Sequence, residues 1–162
     1  MRKQKVLFLC TQNSARSQMA EGFLRHHAGD HFQAYSAGCT PSEKIHPYAI
    51  EVMDEVGIDI SDQYPKGLRT YMGKVGFNYS IIVCARAEQD CPKTFPGVGM
   101  RFVWPFDDPR GEYVSAEEML EVFREVRDEI EAKIVYWLDH PEEELVKQRE
   151  RERLLWQGLF GS

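Results

Sequence analysis

The chain has 162 residues, of which 43% are hydrophobic, and its formal net charge is -6. This length can form one substantial hydrophobic core but is too short for two ordinary domains. The negative charge argues against a general nucleic-acid-binding protein, and it means that an anionic substrate needs a local binding pocket.

The sequence contains no segment that we expect to enter a membrane. No hydrophobic run approaches the roughly 18 residues of a membrane span, and Val6 to Leu9 is too short for a signal peptide. We therefore expect a cytoplasmic protein. Cysteines stand at positions 10, 39, 84 and 91. In that compartment they are expected to be reactive, metal-binding or buried thiols in preference to a structural disulfide framework.

Strand and helix patterns alternate along the chain. The predicted elements are a strand at Val6 to Leu9, a helix at Gln18 to His27, a strand at Phe32 to Ala37, a helix from Pro47 that stops at Gly57, strands at Tyr79 to Val83 and Met100 to Val103, and a helix from an N-cap at Ser115 through Leu138. Residues 61 to 76 include Pro65 and several glycines, so at most one short helix is expected there.

A further helix is predicted after Pro141, where the sequence becomes dense in mixed charge. It ends in the apolar residues Leu154, Leu155, Trp156, Leu159 and Phe160. These residues either pack on the domain or form a dimer or partner contact. We therefore predict a catalytic domain over residues 1 to 140 and a helical extension over residues 141 to 162.

Strands separated by helices at this spacing favour an α/β fold with a parallel sheet. In such folds, ligands bind beyond the carboxyl ends of the strands. Cys10 and Cys84 each fall at the end of a predicted strand, and so at that edge of the sheet.

The stretch FLCTQNSARSQM, residues 8 to 19, predicts an oxyanion-binding loop between a strand and a helix. A loop of this length can direct several backbone N–H groups inward, where they and the helix dipole bind a tetrahedral oxyanion. The residues assigned to this loop are Thr11, Gln12, Asn13, Ser14, Ala15 and Arg16. The alternative is a cysteine that is simply buried in the core.

Four residues of this stretch have predicted roles. The same N–H groups lower a thiol pKa, so Cys10 is expected to be largely thiolate and a nucleophile. Arg16 is expected to bind two oxygens of the anion in bidentate fashion. Ser17 could donate a hydrogen bond to the thiolate, and Asn13 tolerates the left-handed backbone that a tight loop requires.

The stretch WPFDDPRG supplies a candidate general acid. Asp107 and Asp108 lie in a loop after the fourth predicted strand, and Pro109 restricts its backbone. A carboxylic acid close to the oxyanion loop could protonate a leaving oxygen. Alone, Asp-Asp-Pro is an ordinary turn, but with the Cys10 loop Asp108 is the better candidate.

The stretch CARAEQDC places Cys84 and Cys91 seven positions apart. This spacing does not match zinc ligands, and no second pair of cysteines or histidines completes a site. If the segment is helical, the sulfurs are separated by about 10 Å of helix rise, so a disulfide requires the segment to unwind. The alternative is two unrelated cysteines, one buried at a strand end and one exposed before Pro92.

Five motifs together resemble a known family. CTQNSARSQMAEG, AYSAG, EVGIDIS, the pair C-x6-C-P and W-x-F-D-D-P occur in the order found in thioredoxin-coupled arsenate reductases, which share the low-molecular-weight tyrosine phosphatase fold. The resemblance covers roughly residues 5 to 138, and the Cys84 and Cys91 pair separates the reductases from the phosphatases. It implies a three-layer fold around a four-stranded parallel sheet, with no obligatory cofactor.

The resemblance also implies a relay of three thiols. Cys10 attacks arsenate and forms a covalent adduct, and Cys84 then attacks Cys10 and releases arsenite. Cys91 next attacks Cys84, which leaves a Cys84–Cys91 disulfide for thioredoxin to reduce, in agreement with thiol exchange chemistry.

A potassium site beside the loop is a further implication of the resemblance. Asn13, Glu21 and Ser36 match its ligands, whereas Pro65 stands where members with this site carry an aspartate. Gln12 and Ala15 also depart from the usual residues of the loop. Cys39 and the C-terminal helix lie outside the resemblance.

Two alternatives to a reductase remain at this point. A tyrosine phosphatase would use Cys10, Arg16 and Asp108 and would not need Cys84 or Cys91, although the absence of a tyrosine pair after Pro109 counts mildly against it. A non-enzymatic anion or redox sensor would bind with the loop and switch with the thiols. Phosphate and arsenate are nearly isosteric, so the loop alone does not choose between them.

Overall fold

The computed structural model describes residues 2–92 and 95–160, apart from the side chain of residue 160. The strands are β1 (Gln4–Cys10), β2 (Phe32–Gly38), β3 (Phe77–Ile82) and β4 (Val98–Val103). The α-helices are α1 (Arg16–Ala28), α2 (Pro47–Glu55), α3 (Ala85–Asp90), α4 (Ala116–Asp139) and α5 (Pro141–Phe160), and a 3-10 turn covers Leu68–Thr70.

The four strands form one parallel sheet in the order β2-β1-β3-β4. Strands β1 and β3 are the two central strands, with β2 at one edge and β4 at the other. The connections from β1 to β2 and from β3 to β4 therefore run in opposite directions. Because parallel crossovers are right-handed, helices α1 and α3 then lie on opposite faces. The predicted three-layer α/β fold with a four-stranded parallel sheet is therefore confirmed.

Strand β1 is central because it is apolar on both faces. Residues 6 to 10 are all buried, the pattern expected of a parallel strand covered by helices on both sides. Leu9 pairs with Ile82 of β3, so the carboxyl ends of the two strands are adjacent. The order of the strands reverses between these two, and Cys10 and Cys84 follow them at this switch point.

The predicted elements agree with the structure to within a few residues at their ends. Ser115 is the N-cap of α4, and its hydroxyl accepts a hydrogen bond from the Glu118 N–H at 3.2 Å, as predicted. Pro47 begins α2, and the segment 61 to 76 contains one short helical turn. The strand predicted at Tyr79 begins two residues earlier, at Phe77.

Helix α5 is anchored at its start and exposed at its end. Buried Glu144 accepts hydrogen bonds from the Trp104 indole at 3.1 Å and the Lys133 ammonium at 2.5 Å. By contrast, Leu154, Leu155 and Leu159 are between 55% and 76% exposed, so the interpretation that the apolar end of α5 packs on the domain is wrong for these three leucines. The side chain of Phe160 lies outside the described residues.

Within the described ranges, no helix is both long enough and apolar enough to cross a lipid bilayer.

Candidate active site

The oxyanion loop lies between the end of β1 at Cys10 and the start of α1 at Arg16. Asn13 has a φ of 53°, the left-handed conformation that the sequence predicts. Ala15 precedes the helix without a side-chain cap, so no capping side chain occupies the first N–H groups of α1. These groups can therefore bind an anion.

Buried Asn13 holds this loop against its neighbours. Its amide nitrogen donates to the Ser17 hydroxyl at 2.8 Å, and its carboxamide oxygen accepts from the Gln18 side chain and from the Lys66 backbone N–H, both at 2.9 Å. Across the described residues, the structure has no hydrogen bond between Ser17 and the Cys10 sulfur. In this arrangement Ser17 therefore supports the loop rather than the thiol.

Cys10 and Cys84 form a close pair of free thiols. Their sulfur atoms are 3.2 Å apart, and both residues are buried. Cys84 is the N-cap of α3, and its sulfur accepts a hydrogen bond from the Ala87 N–H at 3.4 Å. The Thr11 hydroxyl oxygen lies 3.7 Å from the same sulfur. The pair is thus close enough for one sulfur to attack the other.

The hydrogen bond between the two sulfurs allows the pair to hold one proton and one negative charge. The hydrogen bond from Cys10 and the Ala87 N–H outweigh burial and hold the pKa of Cys84 below its ordinary value. The hydrogen bond to Cys84 and burial raise the pKa of Cys10, although the positive charge of Arg16 opposes this effect. The sequence predicts a thiolate at Cys10 but does not indicate its contact with Cys84, because the distance between the two sulfurs does not follow from their sequence spacing.

Arg16 and Asp108 lie side by side at the mouth of the loop. Arg16 is buried, donates to the Phe106 carbonyl at 2.9 Å and lies 3.5 Å from the Asp108 carboxylate. Burial raises the pKa of Asp108, but hydrogen bonds from Arg110 and the charge of Arg16 outweigh it and hold this pKa below the usual value. The residues predicted as anion ligand and general acid therefore share one site.

Arg110 is a residue of this site that the sequence analysis missed. Its guanidinium donates to Asp108 at 2.8 and 2.9 Å, to Ser14 at 3.4 Å and to the side chain of Gln12. Together with Arg16 it lines a cavity of about 260 Å³ above the loop. The only signal in the sequence is its position two residues after Asp108, which does not separate it from the other arginines.

Cys91 is bonded to Cys39 in this structure, and not to Cys84. The implied Cys84–Cys91 disulfide is absent because the two residues lie at opposite ends of helix α3. The alternative of an exposed Cys91 is also wrong, since this residue is buried against Cys39. Cys39 follows β2, and nothing in its sequence context indicates the bond.

The residues matched to a potassium site do not fit such an ion here. The carboxamide oxygen of Asn13 is already an acceptor in two hydrogen bonds, and buried Glu21 lies in the positive field of Lys66 and Arg25. The Ser36 hydroxyl is buried without a hydrogen-bond partner, but Pro65 supplies no carboxylate to complete the site. Across the described residues, no cluster of three or more His, Cys, Asp or Glu could hold a metal ion.

Comparison with known proteins identifies the family of this chain. Residues 5–151 match the model of the low molecular weight phosphotyrosine protein phosphatases. The chain belongs to this family. A curated relative, the arsenate reductase of Shouchella clausii, is 42% identical over 134 residues, which are 83% of this chain and 94% of the relative. The resemblance to the arsenate reductases of this enzyme family is thereby confirmed.

Solved structures that are similar to this chain include arsenate reductases. One is described as an arsenate reductase in the phosphate binding state; it is 31% identical with a TM-score of 0.67, over 84% of this chain and 97% of that one. Another, a thioredoxin-dependent arsenate reductase of Corynebacterium glutamicum, is 30% identical with a TM-score of 0.62. That match covers 85% of this chain and 61% of the other.

Proposed function

We propose that this protein reduces arsenate to arsenite, with Cys10 as the nucleophile and Cys84 as the thiol that displaces the product. The observation that carries the proposal is the distance of 3.2 Å between the sulfur of Cys84 and that of Cys10, which begins the oxyanion loop. A phosphatase needs one thiol in this position, whereas reduction needs a second thiol within reach of the first. The names of the relatives support the same activity.

The first step forms a bond between Cys10 and arsenic. The loop N–H groups and Arg16 bind the oxygens of arsenate and place the arsenic atom over the Cys10 sulfur. Cys10 attacks as the thiolate, with the proton that it shares with Cys84 on the Cys84 sulfur. As the sulfur–arsenic bond forms, one arsenic–oxygen bond breaks, and the departing oxygen takes this proton and leaves as water. Cys84 is thereby left as the thiolate that the next step needs.

The second step transfers two electrons to arsenic. The Cys84 thiolate attacks the Cys10 sulfur, a disulfide forms between them, and the electron pair of the sulfur–arsenic bond stays on arsenic. Arsenic(V) becomes arsenic(III), and arsenite leaves. Two sulfurs held at contact distance react far faster than separate thiols do, since no entropy is lost in bringing them together.

Return to the reduced protein requires an external dithiol, for which we propose thioredoxin. Cys91 first attacks Cys84 and forms a disulfide with it, and thioredoxin then reduces the resulting disulfide. A structural neighbour is named as thioredoxin-dependent, which supports this choice of partner. Exchange of this kind requires an accessible sulfur on the disulfide that is reduced.

A tyrosine phosphatase activity is the second candidate, because the family model covers most of the chain. This activity would use Asp108 as the acid that protonates the leaving phenol. Cys10, Arg16 and Asp108 would serve either activity, so they do not separate the two. The second free thiol, Cys84, at 3.2 Å from Cys10 favours reduction, because a phosphatase has no use for it.

The direct test is NADPH oxidation coupled through thioredoxin and its reductase on addition of arsenate. The full chain is expected to turn over, and Cys84→Ser is expected to lose turnover because the product is not displaced from Cys10. Hydrolysis of a phosphotyrosine analogue without arsenate-dependent oxidation would replace this proposal with the phosphatase. Binding of the oxyanion with neither activity would make the protein a sensor.

A further inference from the structure

The four cysteines of this chain lie in two pairs at one end of the sheet. Cys10 and Cys84 are free thiols in contact, and Cys39 and Cys91 are joined by a disulfide. The relay that the proposed function describes uses three of these residues. The fourth, Cys39, is bonded to Cys91, the last thiol of that relay. The relay as described does not account for this bond.

Helix α3 separates Cys84 from Cys91. These residues flank its six positions, and seven residues of α-helix rise about 10 Å. A disulfide requires Cα atoms within about 7 Å, so a Cys84–Cys91 bond forms only while α3 is unwound. The Cα atoms of Cys39 and Cys91 are 5.7 Å apart with α3 folded. Of the two disulfides, only the one with Cys39 is compatible with the folded helix.

The backbone holds Cys39 next to the oxyanion loop. Gly38 ends β2, and the chain after Cys39 is hydrogen-bonded to the loop, from Thr40 N–H to the Thr11 carbonyl at 2.8 Å and from Ser42 N–H to the Gln12 carbonyl at 2.9 Å. These contacts do not involve the sulfur. Cys39 is therefore in place to react with Cys91 without movement of its own backbone.

We propose that Cys39 is the fourth thiol of the relay, and that the disulfide handed to the reductant is Cys39–Cys91. The proposal rests on the proposed function, since it extends the same relay by one exchange. Cys91 reaches Cys84 while α3 is unwound, and Cys39 then takes Cys91 away and allows the helix to form again. In the reducing compartment expected from the sequence, a lasting structural disulfide is uncommon, whereas a disulfide made and broken in each cycle is ordinary.

The exchanges balance in sulfur bonds and electrons. The Cys91 thiolate attacks Cys84 and releases Cys10 as a thiolate. The Cys39 thiolate then attacks Cys91 and releases Cys84 as a thiolate. No further electrons are transferred in these two steps, because each forms one disulfide and breaks one. The product has a Cys39–Cys91 bond and free Cys10 and Cys84, which is the arrangement of this structure.

An external dithiol can reach this bond from one side. Cys39 is half-buried and Cys91 is buried, so Cys39 is the more accessible partner. A surface groove of about 600 Å³ is lined by Cys39 together with Pro41, Leu68, Met72 and Pro92. Attack on Cys39 from this groove releases Cys91 as the leaving thiolate, and a second thiol of the reductant then frees Cys39.

The test is a map of disulfides after a single turnover. The fully reduced chain is mixed with one equivalent of arsenate without reductant, free thiols are alkylated, and the linked peptides are identified by mass spectrometry. The wild-type chain is expected to contain Cys39–Cys91. Cys39→Ser is expected to stop one exchange earlier, at Cys84–Cys91, and Cys91→Ser two exchanges earlier, at Cys10–Cys84.

The wild-type result decides the proposal even if a variant fails to fold. Arsenite release with a Cys84–Cys91 linkage would overturn the role of Cys39 and leave the proposed function intact. A wild-type chain that releases no arsenite would overturn the proposed function itself. Air oxidation is controlled by the same map without arsenate: a Cys39–Cys91 bond that forms equally fast there, with no dependence on arsenate, would also contradict the proposal.

Discussion

The buried pair of Cys10 and Cys84 is expected to hold one thiolate at neutral pH, because Cys10 and the Ala87 N–H both donate to the Cys84 sulfur. These hydrogen bonds hold the pKa of Cys84 below its ordinary value. A lowered pKa means that the thiolate forms as pH rises and is already present below the ordinary cysteine pKa. Ultraviolet thiolate absorbance, followed against pH, is the measurement.

Cys10→Ala is the informative variant for this titration. It removes the donor that is the largest cause of the shift, so the midpoint should move upward toward the ordinary cysteine value. A wild-type midpoint that is itself close to the ordinary value would contradict a thiolate shared by the pair.

Arg110 adds a second cation above the loop, where it binds Asp108, Gln12 and Ser14. Substitution Arg110→Met is expected to raise the KM for arsenate about 10- to 100-fold, since a charged hydrogen bond contributes roughly 1.5 to 3 kcal/mol. Steady-state kinetics provide the measurement. Arg86→Met is the control, because Arg86 lines the same cavity but pairs with exposed Asp90; an equal change in both variants would exclude a specific role for Arg110.

Lys66 bears on whether potassium acts beside the loop. Burial raises the pKa of Glu21, and the nearby positive charge of Lys66 opposes this effect only in part. We expect the thermal midpoint and the turnover to be the same in potassium and sodium chloride at equal ionic strength. A stabilisation specific to potassium would show that an ion binds despite Pro65.

The local sequence was enough to predict the oxyanion loop, because the end of a strand, a run of small or polar residues and an arginine follow one another within seven positions. The left-handed Asn13 follows from the same local pattern. The contact between Cys10 and Cys84 and the role of Arg110 could not be predicted, since both depend on distances between residues that are more than seventy positions apart.

At the scale of elements, α3 determines which disulfides can form. If Cys91 reaches Cys84 only when α3 unwinds, a less stable helix should speed that exchange. Gln89 is exposed in α3, and glycine there is about 1 kcal/mol less favourable than alanine. Gln89→Gly should therefore react about fivefold faster than Gln89→Ala. The measurement is the rate at which the Cys10–Cys84 linkage disappears in rapid-quench experiments; equal rates in the two variants would contradict the unwinding step.

Local patterns predicted most elements because each carries its own start and stop residues. Pro47 and Ser115 begin α2 and α4 where expected, and apolar β1 is the central strand. The bond between Cys39 and Cys91 could not be predicted, since it joins the end of β2 to the end of α3 across 52 positions. Only the arrangement of the sheet brings these two ends together.

At the scale of the whole molecule, Glu144 attaches helix α5 to the sheet and to α4. Its carboxylate is buried and accepts from Trp104 and Lys133. Glu144→Ala leaves both donors unpaired and should lower the free energy of unfolding by about 1 to 3 kcal/mol. Denaturant unfolding measures this change. Glu142→Ala removes an exposed carboxylate from the same helical turn and should have little effect; equal losses would show that helix charge is the cause.

The division into a catalytic domain and an extension after residue 140 stays a prediction, and so does a dimer formed through α5. The exposed apolar side chains near the end of α5 make the second of these worth testing by sedimentation velocity. Neither follows from local sequence, because α5 is anchored by contacts of Glu143, Glu144 and Leu145 with residues of other elements.

The central claim is that two adjacent thiols, Cys10 and Cys84, reduce arsenate. The most direct measurement is the amount of arsenite released by the fully reduced chain, mixed with excess arsenate and no reductant, in comparison with Cys84→Ser. The account predicts at least one arsenite for each wild-type chain and none for the variant, which should keep arsenic bound to Cys10. Arsenite release by Cys84→Ser at the wild-type rate would contradict the claim.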